Sequence, residues 1–144
     1  MAANTSPIFS LTPDISTNNS TGRGQAITAT IGSSYDGTHA NMVLIFTAGA
    51  NGAYIDRLRF VAFGTNVATV ARLFSNNGST NATATNNCPI DQISLPATTA
   101  TNTASTPTII FPLGLRIPAS ERLYIGLGTA VAAGWACVAE GGQY

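Results

Sequence analysis

The chain contains no lysine. All six of its basic residues are arginine, and six acids balance them to a net charge of zero. Charged residues make up only 8% of the 144, against about 25% in an ordinary soluble domain. Nothing in that balance forms the basic patch that grips nucleic acid. Long apolar runs are missing too, and none approaches the roughly 18 residues that a membrane helix needs. The N-terminal "MAANTSPIFSLTPDIS" lacks the basic and apolar regions of a signal peptide. A single histidine, His39, cannot build a multi-histidine metal centre. Cys88 and Cys137 lack CxxC spacing, and sequence alone leaves open whether they pair. No serine sits in a GxSxG elbow. No pair of carboxylates stands out for glycoside hydrolysis, because Asp14, Asp36, Asp56, Asp91, Glu121 and Glu140 are scattered. The expectation is a protein that is not an enzyme and carries no cofactor or metal.

Asparagine, serine and threonine take the place of the missing charge. A neutral surface favours association, and lysine is one of the devices by which sheets guard their edges. Composition therefore points to a chain that works in an assembly. Its length fits one domain with a sizeable core.

Residues 1–24 read as an extended arm, with Pro7, Pro13 and a polar "STNNSTG" run. Its short apolar cluster, Ile8, Phe9 and Leu11, is a candidate interface that anchors the arm on another surface. Residues 25–144 read as a β-sandwich domain. "QAITATI" alternates, "MVLIFTA" is apolar and β-branched, and "YIDRLRFVAFG", "VATVARLFS", "TIIFPLGLRI", "RLYIGLGT" and "GWACVAEGGQY" follow between turn signals. That makes about eight short strands. The stretch Asn41–Gly64, "NMVLIFTAGANGAYIDRLRFVAFG", reads as a hairpin closed by "GANG". Residues 79–106 form a long Thr/Asn-rich insertion, whose "CPIDQISLP" is expected to dock as an edge segment. The expected core is Ile27, Val43, Ile45, Leu58, Phe60, Val70, Phe111, Leu123, Ile125 and Val138, although a slip of one residue would invert any strand's contribution.

Arg57 and Arg59 are two apart, so a strand sets both on the face opposite Leu58 and Phe60. They are interface candidates, because arginine is enriched where proteins meet. The competing reading is a cross-strand pair with an acid on a neighbouring strand, and pairs of that kind can also form between subunits. Asp36 and His39 offer two metal ligands from one turn, too few for a site. Tyr35, Tyr54, Tyr124 and Trp135 are the aromatics on which a sugar could stack, although a lone Trp in a sandwich belongs more often to the core.

The run "YDGTHANMVLIFTAGANGAYIDRLRFVAFGT", then "VARLFSNNG" and the ending "GWACVAEGGQY", resembles a group of small phage and prophage virion proteins. Their pattern is a "DGT" turn, a "TAGANG" turn, "IDRIRI"-like residues, a strand continuing "RLFIHDG" and a closing "VIAEGGDF". The likeness covers roughly residues 35–144. It implies a jelly-roll capsid cement (decoration) protein that trimerises on a head shell. The implied partners are the major capsid protein and further copies of the chain, with no nucleic acid and no membrane. The implied location is the virion, after synthesis in the host cytoplasm. The alternative is a tail-fibre or baseplate module that binds host glycans.

Overall fold

A computed structural model describes the backbone of residues 12–17 and all atoms of residues 26–144. The strands are β1 Thr12–Thr17, β2 Val43–Thr47, β3 Ala53–Ala62, β4 Thr69–Asn76, β5 Asn87–Leu95, β6 Ile109–Ile117, β7 Arg122–Leu127 and β8 Trp135–Gln143. A single 3-10 turn, Ala84–Asn86, is the only helical element among the described residues. The strands form two antiparallel sheets, in the orders β1-β8-β3-β6 and β2-β7-β4-β5. The molecule is an antiparallel β-sandwich.

Most consecutive strands lie in opposite sheets, and only β4 and β5 form a hairpin. The expected hairpin at Asn41–Gly64 is therefore an arch. β2 leaves one sheet, "GANG" reverses the chain, and β3 enters the other sheet. Gly52 makes this possible, with φ at +85° and a site where a Cβ would stand 2.7 Å from the Ile117 carbonyl oxygen. Turn residues specify a reversal, but they do not specify which strand the returning chain pairs with.

Other boundaries move as well. Thr12–Thr17, assigned to the arm from sequence, pair along their length with β8, from Thr12 against Gln143 to Thr17 against Val138. Ile8, Phe9 and Leu11 lie outside the described residues. The described part of "QAITATI", residues 26–31, is not a strand and makes isolated bridges, Ile27 to Trp135 and Thr30 to Leu127. The insertion at 79–106 supplies a full edge strand, β5, against β4.

The core lies between the sheets. Ile27, Ile45, Leu58, Phe60, Leu123 and Ile125 are buried in it, and Val43 and Phe111 pack against it half-buried. Val70 and Val138 do not join it. On β4 the inward residues are Ala71 and Leu73, and on β8 they are Trp135, Cys137 and Ala139. Both columns of β8 are apolar enough to pass for an inner face. Packing chooses the one with Trp135, whose small partners Cys137 and Ala139 lie against Phe60 and Leu58. Burial in this apolar setting also pushes the Cys137 thiol pKa far up.

The two outer faces differ. The segment from Ile31 to Met42 roofs the sheet β2-β7-β4-β5, where Ile31, Met42 and Phe74 form a second small core with Tyr124. Gly126 admits this roof, because a Cβ there would stand 2.6 Å from Ile31. Among the described residues, nothing roofs the outer face of β8, β3 and β6.

The edges are guarded without lysine. β1 carries Pro13. β2 has an extra residue between Leu44 and Phe46. β5 carries Pro89 and an extra residue, Ile90. β6 carries Pro112, a register shift and Gly114 at φ +59°. Prolines and bulges of this kind hinder pairing with another sheet.

Candidate interaction face

Arg57 and Arg59 do share an outward face, and it is the unroofed one. β3 carries a bulge there: Ile55 opposes Gly141, whereas Arg57 opposes Glu140, so Asp56 is the extra residue. The bulge resets the alternation. Ile55 faces the core before it, Leu58 and Phe60 face the core after it, and Asp56, Arg57 and Arg59 are left exposed. Gly141 permits the distortion. A Cβ on it would collide with the Tyr54 carbonyl oxygen and approach Ile55 Cα to 2.8 Å.

Both arginines close on one carboxylate. Arg57 Nε donates to Glu140 Oε2 at 2.5 Å, and Arg59 Nη2 donates to Glu140 Oε1. Glu140 is well covered, with 13% of its side chain exposed, while the guanidinium side chains are 49% and 44% exposed. The Arg57 hydrogen bond holds the Glu140 carboxyl below the usual glutamate range, against the opposing effect of burial, and the nearby Arg59 charge helps. The Arg57 guanidinium is shifted up in turn, first by its bond to Glu140 and then by the two opposite charges nearby, Glu140 and Asp56. The expected cross-strand ion pair is thus present within one chain, and each arginine still shows nearly half of its side chain to solvent.

Apolar side chains surround this cluster. In register, Arg59 lies between Ile110 on β6 and Val138 on β8, and Val61 lies beside Ala136. Ile110 is 59% exposed, Phe63 51% and Val61 38%. The outer face of an antiparallel sandwich is usually polar; this one mixes exposed apolar side chains with arginines and acids.

Sequence reasoning reached Arg57 and Arg59 but missed their partner Glu140, the bulge residue Asp56 and the permissive Gly141. The signal was at hand in "IDR" and "AEGG", two of the motifs behind the resemblance, which the sheet sets side by side.

The remaining candidates serve the turns and the core. Asp36 Oδ1 accepts from the Thr38 amide at 3.0 Å, Thr38 Oγ1 at 2.8 Å and Ser34 Oγ at 2.9 Å. These bonds, the Thr38 amide first, lower its pKa. His39 Nδ1 accepts from the Asn41 amide at 3.0 Å. The described residues contain no group of three or more His, Cys, Asp or Glu side chains suited to a metal. Trp135 is wholly buried and Tyr124 packs on the small outer core, so neither offers a sugar platform. Tyr35 is 59% exposed, and the Arg72 guanidinium stacks on its ring at 4.2 Å. Beside Arg72 runs a groove of about 520 Å³, bordered by Val70, Ser94, Pro96 and Gly128. Cys88 is exposed and Cys137 is buried, and no disulfide joins them.

No family model, curated protein or solved structure matches the chain.

Proposed function

We propose that this chain is a structural component of a phage particle, a cement protein seated on the head shell. The observation that carries the reading is the pair of strand orders, β1-β8-β3-β6 and β2-β7-β4-β5. Strands that cross repeatedly between two four-stranded sheets support a jelly roll, the fold that the sequence resemblance implies. The motifs behind that resemblance also carry structural tasks here. "GANG" forms the β2–β3 arch, and "IDR" forms the bulge that rests on "AEGG". Stability and surface are what such a protein contributes, and its described motifs position backbone.

A second reading, a tail module that binds glycans, is favoured by one feature: the groove bordered by Arg72, whose guanidinium stacks on the exposed Tyr35. Arginine and aromatic faces suit sugar rings and their hydroxyls.

Location separates the two. Cys88 is the exposed thiol and Cys137 is buried, so a thiol-reactive gold label marks one position per chain. Electron microscopy of particles carrying labelled protein should show gold on the head shell. Gold confined to the tail would replace the first reading with the second, and particles without label would remove both.

A further inference from the structure

We infer that the unroofed outer face of β8, β3 and β6 is a contact between two copies of this chain, related by a two-fold axis that sets Asp56 of each against Arg59 of the other. The inference stands apart from the reading as a shell component.

Three observations lead to a second copy. First, the face holds exposed apolar side chains, Val61 and Ile110, where a solvated sheet would be polar. Its counterpart on the other sheet is already covered by the chain's own Ile31–Met42 segment.

Second, the charges on the face are self-complementary. Asp56 and Arg57 carry opposite charges at the bulge, and Arg59 shares Glu140 with Arg57. The four charges cancel, so two such faces meet without net repulsion. Asp56 is exposed and forms no ion pair among the described residues. Asp56 and Arg59 lie on the same face three residues apart. A two-fold axis across the strand between them brings each acid opposite the other copy's guanidinium, twice. An isologous contact requires this reciprocity.

Third, association through the edges is hindered. Every edge strand carries a proline or an extra residue, which leaves a face as the open route.

The size of the face sets the strength. Three strands about 4.8 Å apart and about nine residues at about 3.4 Å give a footprint of roughly 450 Å² per copy. Doubled, that is about 900 Å², the size of a weak, transient contact, so the pair should be reversible and dependent on concentration. The outward arginines then have two tasks. Glu140 holds them flat against their own sheet, and the half of each side chain still exposed meets the neighbour. Charge pairs of this kind fix register and exclude wrong partners.

Sedimentation of the full chain and its variants tests this. The wild type should move from monomer to dimer as its concentration rises to about 100 μM, where a contact of this size is populated. Asp56→Arg sets arginine against arginine, and Arg59→Asp sets acid against acid, so each alone should stay monomeric. An equimolar mixture should restore the dimer, because one variant's Arg at 56 then faces the other's Asp at 59, while the native Arg59 faces the native Asp56. Trp135 fluorescence reports whether each variant is folded. Val61→Glu lies on the same face away from the ion pairs and should also abolish the dimer, which decides the matter if Arg59→Asp does not fold. A wild type that is monomeric throughout, a trimer or dimer indifferent to these substitutions, or a mixture of folded variants that stays monomeric overturns the inference.

Discussion

At the scale of the residue, Glu140 and Gly141 do most to shape the outward face. Glu140 neutralises two guanidiniums that would otherwise repel each other across one turn of the pleat. Its folded pKa lies below the ordinary value near 4.5, so its contribution is complete above that value. It fades as pH falls through 4.5 toward the lower folded value. Glu140→Gln should therefore melt below the wild type at pH 7, and the gap should close as the buffer is acidified below 4.5. A gap that stays constant down to pH 2 would show that the carboxylate charge plays no part. Gly141→Ala tests the bulge. Its Cβ meets backbone, and the Tyr54 carbonyl cannot rotate away as a flexible side chain could. Overpacking of this kind costs about 1–3 kcal/mol, or a fall in Tm of about 4–10 °C for a domain of this size. Differential scanning calorimetry measures it, and an unchanged Tm would mean that the strand accommodates the methyl group.

At the scale of the element, β1 changes what truncation should do. As a free arm, residues 1–23 could be removed at no cost to folding. The structure instead gives six of them to a ladder with β8. Removal of residues 1–23 should therefore lower Tm by more than removal of residues 1–11, and the difference reports the β1–β8 pairing; equal melting temperatures would mean that the ladder adds nothing. The elements also show what was legible in the sequence. Alternation on β7 was unambiguous, with Leu123, Ile125 and Leu127 all buried. On β3 the inner and outer columns near the arginines were read correctly, although the bulge that sets them was invisible. On β4 and β8 the reading inverted, since Val70 and Val138 are apolar residues on outer faces and Ala71, Cys137 and Ala139 are small residues inside. Hydrophobicity ranks a residue, but the volume of its neighbours decides which column turns inward. Pairing partners were the least legible. Local turn chemistry gives the reversals, whereas the choice of sheet depends on strands distant in the chain.

For the whole molecule, sequence carried the fold class, because short alternating runs between turn signals leave little besides a sandwich. It carried less of the candidate face, which depends on β3, β6 and β8 meeting. The missing lysine suggested unguarded edges, but the structure guards the described edges with proline and bulges, devices that hinder pairing there. The same scarcity has another consequence. Trypsin cuts only after lysine or arginine, and it requires a stretch of chain that can leave its hydrogen-bonded ladder. There is no lysine, and Arg57, Arg59, Arg72, Arg116 and Arg122 all lie within strands. Arg23, outside the described residues, is the one remaining site. Native protein should thus yield at most one early cut, after Arg23, with residues 24–144 surviving long digestion; early fragments that end at any strand arginine would contradict the assignment. The later, slow loss of that body reports how often the sandwich opens as a unit, so the protease serves as a clock for global unfolding.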